Sequence, residues 1–131
     1  TLELVDIIQK SVPINYRKKS HPARKVFQAI RIEVNNEIGI LEDSLMNAFE
    51  LLNKDGRMVV ITFHSLEDRI VKNVFKNLSE ENKVVKGLPN IPSGMQRKGK
   101  LINKKPIIAS MKEIEDNPRS RSAKLRIIEK L

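Results

Sequence analysis

His64, Ser65 and Asp68 are the residues whose types and spacing come closest to a reactive set. Imidazole, hydroxyl and carboxylate are the parts of a base, a nucleophile and an orienting group. A triad is defined by geometry, and residues this close in the chain rarely aim at one another. Ser65 followed by Asp68 reads better as a helix N-cap with a capping-box-like partner. Other reactive sets are excluded by composition. The absence of cysteine removes thiolate nucleophiles and thiolate metal sites, and two histidines are too few for a His-rich metal cage. The five glycines (Gly39, Gly56, Gly87, Gly94, Gly99) include no pair two apart, so neither G-x-G-x-x-G nor a P-loop is present. The usual cradle for a nucleotide-like cofactor is therefore missing from this chain.

Basic residues are the second source of chemistry. Lys+Arg 25 against Asp+Glu 16 gives a net charge of +9. Residues 1–56 hold 8 basic and 8 acidic side chains, so the whole excess lies in residues 57–131, with 17 basic and 8 acidic. Such asymmetry is common in polyanion-binding proteins, and equally in proteins with a solvated basic surface. Arg24, Gln28, Arg31 and Asn35 step by four, three and four along one helix face, where arginine forks match phosphate oxygens. On spacing alone an ordinary solvated helix face explains them as well. Arg97 to Lys105, including Lys98 and Lys100, carries five basic residues in nine positions and no acid. Such a segment holds a phosphate backbone by charge. Arg119 and Arg121 alternate with two serines in a turn. One Tyr, four Phe and no Trp argue against a sheet that stacks bases.

The elements that must position these residues are legible as periodicities. Leu4, Ile7 and Ile8 lie at helical spacing, and Pro13 stops that helix. Asn15 to Ser20 reads as a basic connector. His21-Pro22 opens the strongest helix, with Ala23, Val26, Phe27, Ile30, Val34 and Ile38 as its buried face. A helix from about Leu41 to Leu52 buries Leu41, Leu45, Ala48, Phe49 and Leu52, and Asp55-Gly56 turns the chain. Arg57 to Phe63 is a short continuous apolar run, the pattern of a strand buried on both faces. Its carboxyl end leads into His64, where ligands gather in open α/β sheets. Leu66, Ile70, Val74 and Leu78 form the stripe of the following helix. Residues 79–104 read as a flexible basic loop. Lys105 to Ala109 reads as an edge strand because of Pro106. Ser110 to Glu113 is a capping box, Asn117-Pro118 a stop, and Ala123 to Glu129 a strand with Leu125 and Ile127 on its apolar side.

Three ordered blocks then match a known pattern. His21 to Ile32 (HPARKVFQAIRI) resembles H-P-A-T-R-T-F-Q-A-L-R-I. Gly56 to Lys72 (GRMVVITFHSLEDRIVK) resembles G-R-L-V-V-I-S-F-H-S-L-E-D-R-I-V-K. Asn117 to Arg126 (NPRSRSAKLR) resembles N-P-R-A-R-S-A-K-L-R. Together they resemble the bacterial ribosomal RNA small subunit methyltransferase H family, in its carboxyl-terminal portion. The resemblance implies methyl transfer from S-adenosyl-L-methionine to the exocyclic N(4) amine of a cytidine in 16S rRNA. It also implies an α/β, Rossmann-like methyltransferase fold, represented here by one buried parallel-type strand, a terminal antiparallel pair and flanking helices. Residues 1–39 correspond to the end of a helical substrate-recognition insert, and residues 40–131 to the carboxyl-terminal half of the methyltransferase domain. The cofactor loop belongs upstream, so the resemblance places no cofactor ligand on this chain, and the chain alone is expected neither to bind S-adenosylmethionine nor to be active. His64 and Ser65 become candidates for the rim of the target-base pocket. Arg24, Arg31, Asn35, Lys98, Lys100, Arg119 and Arg121 become candidates for contact with 16S rRNA or the small ribosomal subunit. No catalytic residue and no metal site is assigned.

Length and termini fit this reading. The 131 residues suit one domain or a piece of a larger one, and the chain starts at Thr1 without Met, as a fragment would. No apolar run approaches the ~20 residues of a membrane span and no signal peptide is visible, so no membrane partner is expected and the cytoplasm is the default location. The exposed edge of the Met58–Phe63 strand invites self-association. The competing reading is a non-catalytic basic module that binds RNA or the ribosome.

Overall fold

The computed structural model describes residues 1–19, 21–81, 90 and 96–131. The chain divides into two compact units, Thr1–Glu37 and Ile38–Leu131.

The first unit is helical. α1 spans Leu2–Ser11 and ends on an extended Val12 ahead of Pro13. The connector expected at Asn15–Ser20 is instead a second helix over most of its length, α2, Ile14–Lys19. Pro13 has the backbone angle of a first helical turn, and its carbonyl accepts from the Tyr16 and Arg17 amides at 3.0 and 3.3 Å. Arg17 also donates through Nε to the Val12 carbonyl at 2.9 Å, which helps close the end of α1. α3 spans Ala23–Val34 behind a buried Pro22. Its apolar stripe has the expected period but not the expected burial. Ala23 is 2% exposed, whereas Val34 is 77% exposed and Val26 and Ile30 are also open. Periodicity specifies which side chains share a face, not whether anything covers it.

The second unit is a mixed α/β layer with an open antiparallel sheet. α4, Glu37–Leu51, and α5, Ser65–Ser79, supply helices. The strands are β1 (Arg57–Thr62), β2 (Gly99–Leu101), β3 (Ile107–Ile108) and β4 (Lys124–Lys130). α6, Met111–Asp116, and a 3-10 turn, Pro118–Ser122, precede β4. β4 is central and pairs antiparallel with all three other strands. β1 runs along one edge of it, from Arg57 opposite Glu129 to Thr62 opposite Lys124. β2 and then β3 follow the other edge. Between them Asn103 stands in for a strand: its Oδ1 accepts from the Ile127 amide at 2.7 Å, and its Nδ2 donates to the Leu125 and Lys105 carbonyls at 3.1 and 2.8 Å.

The core lies on one face of this sheet, where Leu45 and Phe49 of α4 and Val71, Val74, Phe75 and Leu78 of α5 meet Ile128 of β4. Ala48, expected in that core, is exposed. At the turn before β1, Asp55 takes the left-handed φ of 63°. Its amide donates to the Lys130 carbonyl at 2.9 Å, and the Lys130 amide donates to the Gly56 carbonyl at 2.9 Å. The turn is thereby tied to the end of β4.

Three strand expectations are corrected. β1 does not have both faces buried: Val59 and Ile61 are each 54% exposed, because the helices pack only on the Met58–Val60–Thr62 side. β4 inverts the expected faces, with Arg126 and Ile128 buried and Leu125 and Ile127 on the more open side. The loop expected over 79–104 lies partly outside the described residues, but its end is ordered as β2. Gly99 permits this, since a Cβ there would stand 2.9 Å from Ile128 Cδ1 and 3.1 Å from Phe49 Cζ.

Candidate substrate-side site

β1 ends at Thr62, and the chain turns through Phe63 and His64 into α5. The residue that caps α5 is His64, not Ser65, which is the helix's first residue. His64 is extended at φ −138° and ψ 163° and its Nδ1 accepts from the Glu67 amide at 3.3 Å. Glu67 completes the capping box, with Oε2 accepting from the Phe63 and His64 amides at 3.0 and 3.3 Å. Imidazole Nδ1 is an acceptor only when the ring proton sits on Nε2. That Nε2 is buried and lies 3.1 Å from Glu67 Oε1, though it is not directed at it as a hydrogen bond. The His64 ring thus secures the turn. Replacing His64 by Ala is expected to cost about 1 kcal/mol of stability and His64 by Asn much less, since Asn caps well. Urea unfolding of the two variants checks this, and equal losses would show that the ring does something other than cap.

Asp68, which the sequence pattern assigns to the cap, has another task. It is 8% exposed, and it accepts from Arg126 Nε at 2.7 Å, Arg126 Nη2 at 3.2 Å and Lys124 Nζ at 3.2 Å. The Arg126 hydrogen bond holds the Asp68 carboxyl below its ordinary range, with Lys124 adding to the effect and burial opposing it. This fork joins the first turn of α5 to the middle of β4. It also explains the inverted faces of β4, since Arg126 can be buried only because a carboxylate meets it. Thr62 adds a weak link, its hydroxyl donating to the Lys124 carbonyl at 3.4 Å.

The β1–β4 register decides what lies next to the strand tip. Thr62 is opposite Lys124, so the Pro118–Ser122 turn that feeds β4 arrives beside Phe63 and His64. Asn117 Oδ1 caps this turn by accepting from the Arg119 amide at 3.3 Å. Ser120 faces inward, its hydroxyl donating to the Asn117 carbonyl at 2.8 Å. Its hydroxyl is therefore not presented with the arginines, as the spacing implied. Arg119 and Arg121 are exposed and form no ion pair among the described residues. The His64-Ser65 turn and the turn that carries Arg119 and Arg121 therefore leave the same end of the β1–β4 pair.

Lys98 and Lys100, in the same unit, do not join them. Lys100 lies opposite Glu129 at the far end of β4. Lys98 Nζ, just before β2, is 2.9 Å from Glu50 Oε1, and that hydrogen bond lowers the Glu50 carboxyl from its ordinary value. Arg24, Arg31 and Asn35 belong to the first unit. Arg31 forks onto Glu37, Nε to Oε1 at 2.8 Å and Nη2 to Oε2 at 3.1 Å, and Asn35 Nδ2 donates to Glu37 Oε1 at 3.2 Å. These two side chains already have a protein partner, whereas Arg24 is exposed without an ion pair among the described residues. The sequence reading missed Glu67, Lys124 and Arg126. Only Glu67 had a usable signal, as an acid three residues after a cap. No group of metal-binding side chains occurs among the described residues, and none of their helices is long and apolar enough to cross a membrane.

Compared with known families, the chain matches the MraW methylase family over residues 1–131.

Proposed function

We propose that this chain, which belongs to the MraW methylase family and so is part of a methyltransferase, serves methylation of the exocyclic N(4) amine of a cytidine in small-subunit rRNA. One observation carries the substrate side of this reading. The register brings the turn that carries Arg119 and Arg121, which form no ion pair among the described residues, to the same end of the β1–β4 pair as the His64-Ser65 tip. Arginine forks hold phosphates, and a base methylated on its exocyclic amine must be extruded and held at such a rim. Ser65 and His64 shape that rim, and His64 fixes its backbone.

The family implies S-adenosylmethionine as methyl donor, and the described residues do not make a cradle for it. The β1–α5 turn is closed by its own capping box, which already supplies acceptors for the Phe63, His64 and Glu67 amides. The acids at the tip are also committed, Glu67 to the Phe63 and His64 amides and Asp68 to Arg126 and Lys124. The chain by itself is taken to contribute the substrate side without transferring methyl groups. It acts in the cytoplasm on the small subunit or its rRNA, and self-associates through the free edge of β1 when separated from the rest of its fold.

The test is paired. Calorimetry of this chain with S-adenosylmethionine should give no binding heat, while a 16S rRNA fragment binds in a salt-sensitive way. The full-length protein should then place label from S-adenosylmethionine on N(4) of a cytidine, read by nucleoside mass spectrometry. One-to-one cofactor binding by the chain would overturn the division of labour. A methyl group on another atom would overturn the reaction.

A further inference from the structure

A second basic feature lies away from the strand tip, within the same unit. α5, the end of β2 and the segment after it enclose a recess of about 180 Å³. Lys72 and Lys76, one turn apart on α5, line one side of it, and Lys104 and Arg126 line the other. Among the described residues the carboxylate in the lining is Glu80, which is 3.8 Å from Lys76. Even with Asp68 counted behind Arg126, the cations outnumber the carboxylates four to two. Lys72 and Lys104 are exposed and form no ion pair among the described residues. The recess therefore combines two exposed cations, without an ion pair among the described residues, with one arginine that Asp68 holds.

We infer that this recess is an anchor for RNA phosphodiesters, separate from the strand tip; the identity of the polyanion rests on the rRNA reading above. Three features favour a nucleic-acid backbone over a base or a small metabolite. The floor is apolar but closed: Phe75 is 1% exposed, so its ring cannot stack on a base. The polar amide of Asn103 is already engaged by the backbone on both its atoms, so it cannot read a base edge. The remaining contacts are lysine point charges on flexible stems, which suit successive phosphates along a strand. Lys72 is seven residues from Ser65, about 10 Å along the helix axis. An RNA strand held here reaches the strand tip along α5.

The test compares two double variants, Lys72→Gln/Lys104→Gln at the recess and Lys54→Gln/Lys112→Gln elsewhere. All four lysines are exposed and unpaired among the described residues, so both variants retain the fold, which circular dichroism verifies. Binding of a single-stranded 16S rRNA fragment is followed by fluorescence anisotropy across a range of KCl concentrations. Two lost phosphate contacts should weaken binding about 25-fold at 0.1 M salt and reduce the log–log salt slope by about 1.4. The control pair should change affinity less than about twofold. Equal losses in the two variants, no loss at the recess, or no RNA binding by the unmodified chain would each overturn the anchor. RNA bound through the recess but methylated elsewhere than N(4) of cytidine would overturn only the reaction, leaving the anchor in place.

Discussion

Replacing Asp68 by Asn is expected to destabilise the Ile38–Leu131 unit by about 3–5 kcal/mol, because it leaves Arg126 buried without a counter-charge. For a domain of this size that corresponds to about 4–8 °C of melting temperature per kcal/mol. The loss also has a pH signature. The folded Asp68 carboxyl titrates below its ordinary value, chiefly because Arg126 donates to it. A depressed carboxylate contributes its stability above the unfolded pKa of about 3.9 and loses it as pH falls through the folded value. The unmodified protein should therefore lose stability on acidification below about pH 4 more steeply than the Asn variant. A double replacement, Asp68→Leu with Arg126→Met, should recover much of the loss, since an apolar pair of similar volume often matches a buried ion pair. Thermal unfolding at neutral and acidic pH measures all three. A cost under about 1 kcal/mol for Asn would mean that Arg126 does not depend on this carboxylate.

The second large effect is expected at Phe49. Its ring is fully buried, lies where a Cβ on Gly99 would approach it to 3.1 Å, and has Lys130 Nζ 5.7 Å from its centroid. It therefore joins α4 to both β2 and the end of β4. Phe49→Ala should cost about 3–5 kcal/mol through lost burial and the cavity left behind. Val59→Ala, on the open face of β1, should change stability by less than about 0.5 kcal/mol. Urea midpoints compare the two. An unchanged slope for Phe49→Ala assigns the loss to the folded core, whereas a changed slope points to altered compactness.

Helix positions were legible in the sequence because local spacing specifies them. The α1 and α5 helices, the Pro13 stop and the Asn117-Pro118 stop fall where the residues place them. Ile38, counted with the α3 stripe, instead belongs to α4, because the chain breaks at Asn36 with a left-handed φ of 49°. The strand tip at His64 was equally legible, from an apolar run ending in a capping pattern. Local pattern also led to specific errors. Asn15–Ser20 looked like a connector because its charges outweighed the helix-starting role of Pro13. Ser65 and Asp68 read as the capping pair because serine is a commoner cap than histidine, yet the box forms one position earlier, between His64 and Glu67.

Burial was harder to read than secondary structure. Lys124 and Arg126 alternate with Leu125 and Ile127, and hydropathy alone sends the basic pair to solvent. What reverses this is Asp68, 58 residues away from Arg126 in the chain. A buried charge is tolerated only when its partner arrives, and that arrival is a tertiary event. The same holds for the candidate RNA residues: charge and periodicity nominated Arg31 and Lys98, but Glu37 and Glu50 occupy them.

The sequence by itself determined the family, the α1 and α5 helices, the strand tip and the basic excess, because each depends on residue order or on sums over residues. Only the tertiary structure decided which cations are paired, which face of β4 is buried, and that the Arg119–Arg121 turn leaves the same end of the β1–β4 pair as His64. Those outcomes depend on strand register and on charge pairs distant in the chain, which no local window contains.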